Sequence, residues 1–220
     1  VGVDPTGKKF FQYYAKHVKL IPDFFSAKLV ANEFPNKKAK VVTSFSMFYD
    51  LERPMDFMKD IFEVLHEDGL WVFEQSYMPT MLETNSYDTI CHEHLEFYSL
   101  HQIKWMTDRV GFKIVDVEFN DVNGGSFSVA VAKKSSARPE SAKVSEILSS
   151  EKSLGLHTLE PYLQFAQRIE KTKNSLIRFL SEAKSEGKRV VALGASTKGN
   201  VLLQYCDVKI DQIHCVGEVN

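Results

Sequence analysis
Six side chains able to exchange protons or bind cations fall within one short stretch, Asn85 to Tyr98, which reads NSYDTICHEHLEFY. They are Asp88, Cys91, His92, Glu93, His94 and Glu96, bracketed by Tyr87, Phe97 and Tyr98. So dense a set of acids and imidazoles does not suit an ordinary core segment, where buried charges must be paired. Imidazole takes or gives a proton near neutrality without large tuning, so the stretch is a candidate for general acid–base work. Ser99 follows at once, with Gln102 three residues on, the signature of a capping box that opens a helix. The cluster therefore belongs to a loop feeding a helix, a common address for an active site on a rigid scaffold. The plainer alternative is a polar loop around one hydrogen-bonded histidine.

A second stretch, Gly194-Ala-Ser-Thr-Lys-Gly-Asn200, suits an anion. Glycines after a strand let backbone amides approach a phosphate, and Lys198 adds positive charge. Its spacing differs from that of nucleotidase-type phosphate loops. The alternative is a tight strand-to-helix turn with an exposed lysine.

Positioning these loops requires alternating strands and helices. Strands are expected at Val1–Val3, Val18–Ile21, Lys40–Phe45 and Leu70–Phe73, the last apolar enough for burial on both faces. Helices are expected over Thr6–Ala15 and Phe24–Glu33. Another begins at Pro54, shows Phe57, Ile61, Phe62 and Leu65 to a core, and ends at Glu67-Asp-Gly69. Leu100–Val110 should form a helix closed by Gly111, followed by strands Phe112–Phe119 and Phe127–Ala132 around Asn123-Gly-Gly125. That connection is too short for a crossover helix, so these two strands are antiparallel. Alternation of this kind implies a largely parallel α/β sheet with helical layers.

A polar, proline-containing linker, KKSSARPE, falls at Lys133–Glu140. This divides the chain into units at residues 1–134 and 159–220, joined by a linker and short helix over 135–158. Ala142–Leu148 reads as that helix. Leu159–Lys184 is a long helix with Pro161 in its first turn and Gly187 beyond its end. Arg189–Leu193 reads as a buried strand, Val201–Tyr205 as helix, and Cys215-Val216 as part of a further strand.

Bulk composition narrows the partners. The chain has 220 residues and a formal net charge of -2, so it lacks the basic footprint of a nucleic-acid binder. Three cysteines without framework spacing favour a reducing, cytoplasmic setting. No apolar run reaches membrane-spanning length and no signal peptide is seen, so no membrane partner is expected. Cys91, His92 and His94 are too close together to wrap one zinc ion without a remote ligand. Val1-Gly-Val-Asp-Pro5 reads as the tail of a strand, and the chain is expected to be a fragment of a longer one.

On CHEHLEFYS at Cys91–Ser99, Gly124-Gly-Ser126 and GASTKGN at Gly194–Asn200, in that order, the sequence resembles a family of S-adenosylmethionine-dependent sugar C-methyltransferases. Members act on nucleotide-linked 4-keto-deoxysugars. Met47-Phe-Tyr-Asp50 adds to the likeness, which spans nearly the whole chain. The resemblance implies a class I methyltransferase-like mixed sheet, truncated at its start, then a long helix and a second Rossmann-like α/β domain. It implies S-adenosyl-L-methionine as cofactor, with zinc only in an amino-terminal region that this sequence lacks.

By the same resemblance, Asp4 meets the cofactor ribose, Asp23 and Phe24 grip adenine, and Thr43, Ser44 and Ser46 line its amino-acid side. His94 is the base that removes the substrate's C-3 proton, and Glu93 orients the imidazole or the substrate. The family commonly has tyrosine where this chain has Cys91, and a thiol is a weaker donor than phenol. The enolate donor could therefore be Tyr87, Tyr98 or His92. Tyr49, Glu74 and Gln75 are expected in the substrate crevice. Gly194, Ser196, Lys198 and Asn200 are expected on the nucleotide or pyrophosphate. Two other functions fit parts of the pattern: a nucleotide-sugar binding unit without methyl transfer, and a nicotinamide-dependent nucleotide-sugar oxidoreductase. The second lacks any GxGxxG.

Overall fold
Strands and helices alternate through the computed structural model, in which residues 1–218 are described. Two short parallel strands, β1 (Gly2–Val3) and β2 (Leu20–Ile21), form a sheet of their own. Between them Gly7–Tyr13 winds as a 3-10 helix, not as the α-helix expected over Thr6–Ala15. Thr6 gives it no side-chain cap, so an α-helical first turn there has nothing to satisfy its free amides. Helix α1 (Ala27–Glu33) begins later than expected, after Ser26, whose hydroxyl accepts from the Leu29 amide at 3.2 Å.

The main sheet has four strands: β3 (Ala39–Phe45), β4 (Leu65–Ser76), β5 (Phe112–Asn120) and β6 (Ser126–Lys133). Their spatial order is β3-β4-β6-β5, with β3 parallel to β4 and the other pairs antiparallel. Helix α2 (Pro54–Val64) stops before the expected Glu67-Asp-Gly69. Glu67 is drawn outward instead, accepting from Lys133 at 2.7 Å and Ser135 at 3.1 Å. The residues between Leu65 and Leu70 bulge from the β3–β4 ladder.

One face of this sheet is closed. Trp71, Phe73, Phe112, Phe127, Met58, Ile61, Leu100 and Ile103 are all fully buried there, between the strands, α2 and α4 (Leu100–Val110). The capping box at Ser99 is present as expected, and Gly111 ends α4 at a φ of 103° that favours glycine. Val41 and Phe45, on the other face of β3, are exposed.

Helix α3 (Met78–Thr84), which the sequence pattern did not announce, leads from β4 into the histidine loop. After β6 come α5 (Ala142–Ser153), the long α6 (Glu160–Ser185), β7 (Val191–Leu193), α7 (Thr197–Tyr205) and β8 (Cys215–Gly217). β7 and β8 pair in parallel. The expected burial of the Arg189–Leu193 strand is not found: Val191 and Leu193 are exposed, because this sheet has only two strands among the described residues. A second apolar cluster joins the two ends of the molecule. Met78, Met81, Leu82 and Tyr87 pack against Phe165 and Ile169 of α6, with Leu202 of α7 alongside.

Candidate functional site
The histidine loop stands at the carboxyl edge of β3 and β4, where open α/β sheets place their ligands. Its upstream part is a single 3-10 turn, Tyr87–Thr89, with Tyr87 and Thr89 buried. His94 is half-buried, and its Nδ1 lies 2.7 Å from the Thr89 carbonyl oxygen. A carbonyl only accepts, so Nδ1 carries the proton and donates it. In the neutral ring Nε2 then keeps the lone pair, which is the form a general base needs. The Tyr49 ring meets the imidazole edge-on, with centroids 4.8 Å apart at 68°. The Tyr49 carbonyl accepts from the Leu95 and Glu96 amides, each at 3.1 Å, and so fixes the loop's downstream part.

Electrostatics tie the same groups together. Burial pushes the Tyr49 phenol above its ordinary value, the Asp50 and Cys91 charges add to this, and the Ser46 side chain opposes it by hydrogen bonding. The phenol therefore stays protonated and able to donate. The Asp50 carboxyl is also raised, chiefly by desolvation, with Glu93 pushing it up and His94 pulling it down. Asp50 is thus a neighbour of the histidine to which no role was expected, although it closes the Met47-Phe-Tyr-Asp50 run. The crevice beside His94 also touches Ser76, Met78, Met81, Glu96 and Phe97 and is narrow, about 10 Å³, room for about one water. His92, Glu93 and Glu96 are exposed, and Cys91 is half-buried.

Other expected residues lie elsewhere. The Tyr87 hydroxyl is 3.7 Å from the Cys206 sulfur, inside the second apolar cluster; it points to α7, not toward His94. Tyr98 is largely buried against Phe48, ring centroids 5.6 Å apart, and lines a separate crevice with Pro54, Met55 and His101, not the one beside His94. Ser44 accepts from the buried Trp71 indole at 3.0 Å. Alternation along β3 explains this: Ser44 faces the core while Thr43 is exposed on the other face. Ser46 adopts a left-handed φ of 51° just after β3. Glu74 accepts from Asn120 at 2.7 Å. Gln75, 1% exposed, lies on the Trp71–Phe73 face of β4, with neither side-chain amide atom partnered.

Asp4 follows β1 and Asp23 follows β2, so both carboxylates stand at one edge of the same parallel pair. Asp4 Oδ1 accepts from the Thr6 amide and hydroxyl, both at 2.8 Å, leaving Oδ2 for a further donor. Asp23 Oδ1 accepts from the Phe24 amide at 2.7 Å. The Phe24 ring is 77% exposed and free to pack on a planar ligand. Acids for ribose hydroxyls and an open ring for a purine fit an adenosine group.

The Gly194–Asn200 loop is the turn into α7. Gly194 has a φ of 92°, and a Cβ there would meet nothing within 4 Å. Ser196 caps α7 by accepting from the Gly199 amide at 3.2 Å, and the Ala195 amide donates to Glu218 at 2.7 Å. Lys198 is half-buried and makes no hydrogen bond or ion pair among the described residues. Asn200 lies one turn in, with its amide on the Ser196 carbonyl at 3.1 Å.

One buried acid was not signalled by the sequence. Glu151 of α5, 2% exposed, accepts from the Tyr77 hydroxyl at 2.7 Å and from the Leu100 and His101 amides at 2.6 and 2.8 Å. It stabilises the first turn of α4, just beyond the histidine loop. A lone glutamate in a polar helix gives no such warning. Among the described residues no helix is long and apolar enough to cross a membrane.

Residues 1–117, more than half of the chain, match the family model described as a methyltransferase domain. Residues 121–220 match the model described as the C-methyltransferase C-terminal domain. The chain belongs to the methyltransferase family. The first match ends within β5 and the second begins directly after it, inside the main sheet. A curated relative, C-methyltransferase NovU of Streptomyces niveus, is 30% identical over 97% of this chain and 51% of the relative. The chain thus spans about half the length of that relative. Among solved structures, a putative methyltransferase of Haloferax volcanii bound to the Trm112 activator aligns with TM-score 0.47 and 12% identity, over 60% of this chain and 71% of that one. A possible histamine N-methyltransferase of Thermotoga maritima aligns with TM-score 0.44 and 14% identity, over 61% and 73%.

Proposed function
We propose that this chain carries the catalytic site of an S-adenosylmethionine-dependent C-methyltransferase acting on a nucleotide-linked 4-keto-deoxysugar. The observation that carries the reading is the Nδ1 contact of His94 to the Thr89 carbonyl, 2.7 Å, which leaves Nε2 as a base beside a protonated phenol.

A 4-keto group acidifies the neighbouring C–H, so an imidazole Nε2 takes that proton and holds it as imidazolium. Negative charge then develops on the keto oxygen and needs a donor. Tyr49 fills that role better than Tyr87 or Tyr98, whose side chains are committed to other packing. Asp50 and Glu93 bring negative charge to the imidazolium and stabilise it. Cys91, beside Tyr49, adds a weak donor. S-adenosylmethionine, held by Asp4, Asp23, Phe24, Thr43 and Ser46, supplies when bound an electrophilic methyl group for the activated carbon. Lys198 and the α7 amino-terminal turn hold the nucleotide phosphates. The reading is supported by the match to the C-methyltransferase C-terminal domain and by the relative named a C-methyltransferase.

The test is incubation of the intact protein with a nucleotide-linked 4-keto-6-deoxysugar in deuterated water. Exchange at the carbon next to the ketone is expected without methyl donor, and methyl transfer with it. Neither exchange nor transfer, with tight binding of S-adenosylhomocysteine, would leave a methyltransferase of another substrate class.

A further inference from the structure
Four contacts from α6 and the end of α7 grip the segment that leads into the histidine loop. Arg168 of α6 donates to the Leu82 carbonyl, near the end of α3. One turn on, Thr172 Oγ1 accepts from Asn85 Nδ2 at 3.2 Å. From α7, the Tyr205 ring meets the Tyr87 ring at 5.4 Å and 60°, and Cys206, buried, touches the Tyr87 hydroxyl.

Tyr87 opens the 3-10 turn whose last residue is Thr89. That turn has no side-chain cap, and three residues cannot hold a conformation by their own hydrogen bonds. Its position is set by the packing of Tyr87 together with Ser86, whose amide donates to the Met81 carbonyl at 3.0 Å and whose carbonyl accepts from Thr89 Oγ1 at 2.8 Å. Thr89 then presents one carbonyl to two donors, His94 Nδ1 at 2.7 Å and the Cys91 amide at 3.1 Å. The loop is thus held upstream by α6 and α7, and downstream by the Tyr49 carbonyl beside the sheet. The crevice between has no slack for a displaced imidazole.

We infer that Tyr87 is a positioning residue for the His94 imidazole, seated by α6 and α7, so that the base is assembled jointly by the sheet and the C-terminal helices. This rests on reading His94 as the base. The ring is the anchor and its hydroxyl is secondary, since an O–H to sulfur contact is weak. Losing the ring releases the turn, moves the Thr89 carbonyl, and frees the imidazole to hold its proton on Nε2 instead.

The experiment uses the intact protein with 15N-labelled histidine. Long-range 1H–15N spectra report the His94 tautomer, and deuterium exchange of the keto sugar reports the base. Tyr87→Ala is expected to shift His94 away from the Nδ1–H form and to slow exchange about tenfold to a hundredfold. Tyr87→Phe restores both to near the parent values, and binding of S-adenosylhomocysteine changes in neither. Should Tyr87→Ala not fold, the double variant Arg168→Met with Thr172→Val carries the test, with the same tautomer shift and a severalfold slower exchange. A parent-like tautomer and rate in whichever variant folds overturns the inference. If the parent protein exchanges no proton, the base reading fails, and the tautomer spectra still decide whether Tyr87 positions the ring.

Discussion
The histidine loop, between α3 and α4, and the glycine loop, between β7 and α7, both place polar residues ahead of a helix, yet they are built differently. At the first, backbone and side chains are fixed from several directions: Thr89 and Tyr49 carbonyls, the Tyr87 ring, and Glu151 beneath the next helix. At the second, the Gly217 carbonyl, Glu218 and Ser196 take the Gly194, Ala195 and Gly199 amides, and Leu193 just before it is 83% exposed. The difference follows the demands of the two proposed tasks. A base must hold one nitrogen at one place, because misplacement by about 1 Å costs about a hundredfold in rate. A phosphate needs charge and amides, which tolerate looser geometry.

The strongest way to break this comparison is at His94. His94→Gln is expected to lower turnover and proton exchange by about a hundredfold to ten-thousandfold, with S-adenosylhomocysteine affinity within about twofold of the parent. Rates measured under saturating substrate decide it, and a variant that keeps parent-like exchange would remove the chemistry from this loop altogether.

The support beneath the loop is next in size. Glu151→Ala leaves the Tyr77 hydroxyl and two α4 amides without their acceptor, and such a loss costs about 2–4 kcal/mol. Urea denaturation reads it directly. Glu151→Gln should lie between the two, because an amide oxygen still accepts while its NH2 group cannot. A loss under 1 kcal/mol would mean that α4 is held by its capping box alone.

Most of this fold was legible. The capping box at Ser99 and Gln102, the Pro54 helix start and the antiparallel pair after Gly111 all rest on local rules, and all are present. What local rules could not see is tertiary. Helix α2 ends early because Leu65 joins the ladder to β3, and Glu67 beyond it meets Lys133 and Ser135. The Tyr87 side chain goes to Cys206, 119 residues downstream, and nothing in NSYDTICHEHLEFY carries that contact. Thr43 and Ser44 are expected together on the cofactor, yet strand alternation puts them on opposite faces; the partner that reveals it, Trp71, comes from the neighbouring strand. Density of chemical groups located the site; which group faces which was decided by the long-range packing.

The glycine loop offers a smaller effect with a distinct signature. Lys198→Ala should weaken nucleotide-sugar binding about tenfold at low salt, and the loss should shrink as ionic strength rises, since one partly exposed charge is screened within about 10 Å at 0.1 M. S-adenosylhomocysteine binding should not move. Calorimetric titration of parent and variant at two salt concentrations separates a phosphate contact from a bland turn: equal affinities in both proteins at low salt would favour the turn.

The smallest effect probes whether the histidine loop is tuned as well as fixed. Asp50 has a native value above its ordinary 3.8, chiefly through desolvation. A raised acid binds its proton more tightly in the native state than in the unfolded one. Its contribution to stability is therefore complete below the ordinary value and is lost as pH rises through the raised native value. Above that window Asp50 is a charged neighbour that the fold tolerates, retained near His94, whose positive charge would offset it. Asp50→Asn removes the loss, so the variant should gain stability relative to the parent as pH rises through the window, and the difference should level off beyond it. Denaturation midpoints measured from pH 3 to pH 7 give the curve. Because the carboxylate also couples electrostatically to the imidazole, the same variant should slow proton exchange modestly while raising stability, an opposition that no substitution in the glycine loop should produce. A variant that loses stability with rising pH as the parent does would show that another acid, not Asp50, carries the loss.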